Sequence, residues 1–216
     1  MARDAGHVAS LRSLAVLDFE AGLYAPAMKR LERALDRDSD DGLSWFYLGA
    51  CSLRLGNLSE ATRCGYRAVR CPGTAAVGYD LAGRAAMQRG DVSGAVAIFQ
   101  RALRANGDSA AVAEHLMLAL HAAGKTHSAH QLAQWRMKQS PTILVPWALV
   151  GLKDENALAE FARDVRSFVG DRDFELLETS LVFADLGLFK EAAKVVKAAC
   201  VDAVPAAERS FLPLYY

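Results

Sequence analysis

Apolar residues recur along the chain in pairs of helical stretches separated by a glycine. In residues 8–41, two stretches carry apolar side chains every three or four positions, which is the spacing of one face of an α-helix. Gly22 lies between them, where a helix-ending turn needs a residue that adopts positive φ without steric cost. The pattern predicts two helices, A and B, joined by a short turn.

The same pattern returns at a fixed distance of 34 residues. The turn glycines are Gly22, Gly56, Gly90 and Gly124. An alanine of each helix B keeps the same spacing, at Ala27, Ala61, Ala95 and Ala129. A fixed period of this kind is the signature of a repeat protein. We therefore expect an all-α chain that begins with four regular units, 8–41, 42–75, 76–109 and 110–143.

The fifth unit, residues 144–172, departs from this period. Ala157 follows Ala129 by only 28 residues, so six residues are missing. Pro146 suits the first turn of a helix, and residues 153–156 have the composition of a turn. The sequence predicts that helix A of this degenerate unit is shortened.

The sixth unit, residues 173–206, recovers the spacing through Gly187 and Ala192. Residues 207–216 are expected to start a further helix. Because a repeat array needs a polar terminal cap for solubility, this apolar ending predicts a longer parent protein or packing on a neighbour. The whole chain, 1–216, is predicted to be a single solenoid of about six repeats.

The second unit carries the marks of a known repeat family. Trp45, Leu48 and Gly49 match the W-x2-L-G motif of the tetratricopeptide repeat, and Pro72 closes the unit as that motif requires. Gly65 stands where the family usually has Phe. The chain resembles this family over most of its length.

The resemblance implies a right-handed superhelix of paired antiparallel helices, in which helix A of each unit lines the concave face. It also implies a non-enzymatic protein that binds a peptide or protein segment in that groove. Helix A positions 2, 5, 9, 12 and 13 should line the groove. The predicted groove residues are Arg12, Phe19, Phe46, Arg54, Asp80, Arg84, Gln88, Glu114 and His121.

Two interpretations of the groove arginines remain open at this point. In the first, Arg12, Arg54 and Arg84 together bind a ligand carboxylate in forked geometry, and Phe46 contacts an apolar side chain of the ligand. Alternatively, the arginines pair with acidic residues on a solvated face, namely Glu20, Asp80 and Glu114.

A closer resemblance concerns the order of the units. A shortened unit after Trp147, a Gly-Leu-Phe-Lys-Glu-Ala turn from Gly187 to Ala192 and an aromatic ending are similar to the C-terminal helical tail of certain large bacterial proteins. Those proteins carry an N-terminal β-sandwich module of unknown function that is related to carbohydrate-active proteins. This resemblance implies an alternative function as a scaffolding tail that docks on another domain of its parent or associates with itself.

Charge and hydropathy narrow the class of partner. The 25 Lys and Arg residues balance the 25 Asp and Glu residues, so no net field favours nucleic acid or an anionic membrane. The longest apolar run, residues 143–152, is too short to cross a bilayer and contains Pro146. The first residues have no apolar signal-peptide core, so a cytoplasmic location is expected.

Catalytic and metal chemistry are not expected. No nucleophile, base and orienting group stand in a recognisable pattern, so we predict neither an enzyme nor a cofactor. The histidines of the fourth unit have no carboxylate or thiolate at ligand spacing, which argues against a metal site; they are His115, His121, His127 and His130. Cys51 and Cys64 fall on apolar positions, where Cys usually acts as a small buried hydrophobe.

Overall fold

The computed structural model describes residues 2–106, 109–168 and 172–200. Within these ranges the chain forms twelve α-helices and no β-strand, which confirms the predicted all-α fold. The helices are α1 (Ala2–Glu20), α2 (Tyr24–Leu35), α3 (Gly42–Arg54), α4 (Leu58–Arg70), α5 (Ala75–Gln88), α6 (Val92–Ala105), α7 (Ala110–Ala122), α8 (Thr126–Gln139), α9 (Leu144–Gly151), α10 (Glu155–Phe168), α11 (Arg172–Asp185) and α12 (Phe189–Cys200). The further helix predicted at 207–216 lies outside the described residues.

The chain divides into two compact units, Met1–Val112 and Ala113–Tyr216. In the first unit each helix from α1 to α6 contacts the next, and the A helices also contact one another, α1 with α3 and α3 with α5. In the second unit α8 to α12 contact in sequence, with further contacts of α9 with α11 and of α10 with α12. This is the pairing expected of stacked helical hairpins.

Five of the turns between paired helices are built around glycines, as predicted. Gly56 has φ +77°, and the equivalent glycines at 22, 90, 124 and 187 have φ between +72° and +86°. The N–H of Gly56 donates to the carbonyl of Leu53 at 3.1 Å, and the N–H of Asn57 donates to the carbonyl of Ser52 at 2.8 Å. These bonds satisfy carbonyls that the helix end leaves unpaired.

Side-chain caps begin several of the second helices. Asn57 accepts a hydrogen bond from the N–H of Glu60 at 3.2 Å, and Asp91 accepts one from the N–H of Gly94 at 3.0 Å. Lys125 makes no such bond at the start of α8. Asn57 and Asp91 thereby satisfy N–H groups that the starts of α4 and α6 would leave unpaired.

The core consists mainly of small side chains at the helix contacts. Ala15, Ala27, Ala61 and Ala95 are fully buried, as helices with closely spaced axes require. Leu31 and Phe99, also fully buried, fill the space beside them. None of the described helices combines the length and the apolar character that a bilayer crossing needs.

Helix α9 is the shortened helix that the missing residues predicted, with eight residues. The indole N–H of Trp147 donates to the carbonyl of Pro141 at 3.1 Å, just as that of Trp45 donates to the carbonyl of Ser39 at 2.8 Å. Each tryptophan is the fourth residue of its helix. The beginning of α9 is therefore regular, and the shortening falls at its C-terminal end, after Gly151.

Candidate functional site

The A helices of the first unit carry most of the predicted groove residues. Helices α1, α3 and α5 contact one another in sequence, so their side chains form one surface. The predicted residues on this surface are Arg12, Phe19, Phe46, Arg54, Asp80, Arg84 and Gln88. The other two, Glu114 and His121, lie on α7 in the second unit and are described separately.

Four aromatic rings form a continuous row across α1, the first residue of α2, and α3. The ring centroids are 5.6 Å apart for Tyr24 and Phe19, 6.0 Å for Phe19 and Tyr47, and 5.1 Å for Tyr47 and Phe46. The rings meet in tilted or edge-to-face geometry, which aromatic pairs prefer. All four side chains are half-buried. We call these four residues the aromatic row.

The aromatic row packs against the hydrophobic core. Phe19, Tyr24 and Tyr47 pack against a cluster that contains the fully buried Leu31, and Phe46 packs against a second cluster that contains Leu81. Packing against the core thus holds the row in place, while each of the four side chains keeps part of its surface exposed.

Tyr47 is the residue of this row that the groove prediction missed. It stands one position after the predicted Phe46, at position 6 of helix A, and the groove prediction included only positions 2, 5, 9, 12 and 13. Contact with Phe19 of α1 brings Tyr47 into the row. The available signal was the run of aromatic residues from 45 to 47 in a single helix A.

Arg12 is engaged by a carboxylate of the chain itself. Its Nη1 donates to both carboxylate oxygens of Asp41, at 2.6 and 2.7 Å. Asp41 also accepts a hydrogen bond from Ser44 Oγ at 2.6 Å, and it directly precedes α3. Arg12 therefore ties α1 to the start of α3, and its partner is Asp41 rather than the Glu20 that the alternative interpretation named.

Arg84 is paired as well. Its Nε lies 3.3 Å from Oδ2 of Asp80, one turn earlier on α5. This pairing agrees with the alternative interpretation, but the side chains are only 13% and 12% exposed, so the pair does not lie on a solvated face. Arg54 is exposed at the end of α3, and Gln88 is half-buried at the end of α5. Two of the three groove arginines thus already hold carboxylates.

The two predicted groove residues of the second unit, Glu114 and His121, are both partly buried. Burial raises the pKa of Glu114, and the charges of His115 and Arg136 oppose this effect only in part. Burial lowers the pKa of His121, whose Nδ1 has no hydrogen-bond partner within the described part of the chain. Neither side chain is a solvated surface charge.

Two buried thiols and the search for metal ligands bear on the chemistry of the described residues. Burial raises the pKa of Cys51 to about 11 and that of Cys64 to about 12, so both remain protonated and weakly nucleophilic at neutral pH. Across residues 2–106, 109–168 and 172–200, no three His, Cys, Asp or Glu side chains gather in a way that fits a metal ion.

Comparison with known families identifies the repeat. A family model described as tetratricopeptide repeat matches residues 12–75 and 81–134, which is more than half of the chain. No curated protein sequence matches the chain.

Several solved structures share this fold at low sequence identity. The type IV pilus biogenesis factor PilW has a TM-score of 0.64 at 16% identity, with 87% of this chain and 90% of PilW covered. TTC0263, a tetratricopeptide repeat protein of Thermus thermophilus, has a TM-score of 0.60 at 19% identity, with 90% and 100% covered. YrrB, described as having an unusual peptide-binding site, has a TM-score of 0.52 at 14% identity, with 95% and 89% covered. At these identities the likeness concerns the fold alone.

Proposed function

Because the chain belongs to the tetratricopeptide repeat family, we propose that it is a non-enzymatic interaction module that binds a peptide or protein segment across α1, α3 and α5. Repeat solenoids use the faces formed by successive repeats as binding surfaces. A peptide-binding site described for YrrB supports the same class of function here.

The aromatic row carries this proposal. Rigid aromatic side chains lose little conformational entropy on binding, and they dominate the binding energy of many protein interfaces. Tyr47 lies at the centre of the row and presents both a ring and a hydroxyl group. The Asp80 and Arg84 pair on α5 adds polar groups to the same set of helices. We expect the bound segment to place an apolar or aromatic side chain on the row.

Selection from a displayed random peptide library tests the proposal. Peptides selected on the whole chain should lose at least about tenfold in affinity on Tyr47→Ala, which is the loss expected of an interface hot spot. Tyr66→Ala is the matched control, since Tyr66 is also a partly exposed aromatic residue but lies on α4, a helix B. Equal affinity for the wild type and Tyr47→Ala, with both variants folded by circular dichroism, would contradict the proposal.

The alternative function, docking or self-association, is favoured by one observation on α1. Leu14 and Leu17 are 47% and 61% exposed, whereas the residues 34 positions later, Leu48 and Cys51, are 4% and 0% exposed. In the second repeat, Leu48 and Cys51 belong to the core cluster between repeats. We call the equivalent residues of the first repeat, Leu14 and Leu17, the α1 stripe. The α1 stripe is therefore an apolar stacking surface that a domain of a longer parent protein, or a second copy, can cover. In the parent implied by the closer resemblance, that domain is the β-sandwich module.

Light scattering separates the two functions. If α1 mediates self-association, Leu14→Glu with Leu17→Glu should convert an oligomer to a monomer without changing peptide affinity. Tyr47→Ala should weaken peptide binding and leave the oligomeric state unchanged.

A further inference from the structure

A recess lies beside the turn that follows the shortened helix α9 in the second unit. Helix α9 has eight residues, whereas its neighbour α11 has fourteen. At about 1.5 Å of rise per residue, α9 is shorter by roughly 9 Å. Because its beginning is in register, the whole difference falls at the turn into α10, residues 152–154. The recess beside this turn has a volume of about 550 Å³.

The floor of this recess is apolar. Leu158 of α10 and Ala198 of α12 line it, and both are at least nine-tenths buried. Leu152, at the end of α9, adds a half-buried side chain. The volume lies within the range of small-molecule sites, which are typically lined by apolar side chains with a few polar groups.

The rim of the recess is positively charged. Lys153 of the turn and Lys194 and Lys197 of α12 line it, and all three are exposed. Lys194 and Lys197 are three residues apart on one helix, so their side chains share a face. Asp154 is the single carboxylate among the described lining residues, and its Oδ1 already accepts the N–H of Ala157 at 2.7 Å as a cap of α10. Glu191, one turn before Lys194, does not belong to the described lining.

We propose that this recess binds a small amphipathic carboxylate of the medium-chain fatty acid class. The aliphatic chain lies on Leu152, Leu158 and Ala198, and the carboxylate lies between the ammonium groups of Lys194 and Lys197. A carboxylate fits this rim because it is the complementary charge, and an unbranched chain fits because the described floor residues, Leu152, Leu158 and Ala198, have aliphatic side chains. The site is separate from the aromatic row, and the proposal does not depend on peptide binding.

Three probes test head group and chain independently on the whole protein. Octanoate should bind with saturation by isothermal titration calorimetry, at least tenfold more tightly than octanol, which lacks the charge, and acetate, which lacks the chain. In amide NMR spectra, octanoate should shift resonances of Lys153, Leu158 and Lys197. Equal affinity for octanoate and octanol, or no saturation at millimolar octanoate, would overturn the proposal.

Matched lysine variants locate the site. Lys194→Gln with Lys197→Gln should weaken octanoate binding at least tenfold and leave octanol binding unchanged. Lys29→Gln with Lys125→Gln removes the same number of exposed charges elsewhere and should have no effect. If the variant with Lys194→Gln and Lys197→Gln binds octanoate as tightly as the wild type, the proposed site is wrong. Tyr47→Ala should also leave octanoate binding unchanged, so that failure of the peptide proposal and failure of this one give different results.

Discussion

The backbones of Gly65 and Gly78 face each other across the contact between α4 and α5. A Cβ on Gly65 would lie 2.8 Å from the carbonyl oxygen of Gly78, and a Cβ on Gly78 would lie 2.6 Å from the carbonyl oxygen of Gly65. The family usually has Phe where Gly65 stands, and Phe99 fills that place one repeat later. The second and third repeats therefore approach through bare backbone rather than through a ring.

Gly65→Ala should destabilise the protein. At an unconstrained position inside a helix, replacing Gly by Ala stabilises by about 0.5–1 kcal/mol. Here the added methyl group meets a backbone oxygen, which no change of rotamer can move away. We expect a loss of about 1–3 kcal/mol in the free energy of unfolding, measured by urea denaturation. Ser59→Ala, at an exposed position of α4, is the control and should change little. A stabilised Gly65→Ala variant would show that the two helices separate easily.

The Arg12 and Asp41 pair should be energetically coupled. The carboxylate of Asp41 is only 8% exposed, and it accepts hydrogen bonds from both Arg12 and Ser44. We expect a double-mutant cycle with Arg12→Ala and Asp41→Ala to give about 1–3 kcal/mol of coupling in the free energy of unfolding. The exposed Glu60 and Arg63 pair provides the comparison and should give less than about 1 kcal/mol. A coupling near zero would leave Arg12 available to a ligand carboxylate.

The outcome for Arg12 shows what the sequence period can and cannot predict. A period identifies positions that repeat, and the turn glycines were predictable because they recur at a fixed spacing of 34 residues. Asp41 does not recur, since Ala75 and Ser109 stand at the equivalent positions. Its contact joins residues 29 apart through one particular loop, and no rule of spacing reveals such a contact.

The aromatic row of the proposed binding surface was visible in the sequence only in part, for a related reason. Helix periodicity selects positions that point in one direction, and it found Phe19 and Phe46. The place of Tyr47 in the aromatic row depends on how α1 packs beside α3, which is a property of two helices together.

The shortening of α9 could be predicted from the sequence, because the spacing of the repeats shows that six residues are missing. The sequence did not show which end of α9 had lost these residues. The hydrogen bond of Trp147 shows that the beginning of the helix is regular, so the loss is at its C-terminal end.

Cys51 and Cys64 should resist alkylation in the folded protein. Burial raises the pKa of both thiols well above neutrality, and the thiolate is the reactive form. With iodoacetamide at about pH 8, where an ordinary thiol is partly ionised, both should be modified only as fast as the protein unfolds. Peptide-level mass spectrometry measures the two rates, and the same chain in urea is the control. Rapid labelling of either residue without denaturant would contradict the packing described for α3 and α4.

The pKa of Glu114 predicts how its contribution to stability changes with pH. Burial raises this pKa above its ordinary value of 4.5, so the folded state favours the protonated carboxyl group. Below pH 4.5 the folded and unfolded states both hold the proton, and burial carries no ionisation penalty. As the pH rises above that value, the unfolded chain releases its proton first and stability falls. The loss stops growing once the pH exceeds the raised pKa of the folded state.

Glu114→Gln removes this titration while keeping the size of the side chain. The free energy of unfolding of the variant should therefore match that of the wild type near pH 4 and exceed it at neutral pH. Urea denaturation at a series of pH values measures the difference, and Glu32→Gln, at an exposed position of α2, should show no such trend. If the variant is instead the less stable protein at neutral pH, His115 and Arg136 stabilise the ionised carboxylate by more than burial costs it. Glu114 would then act as a structural anion of the second unit.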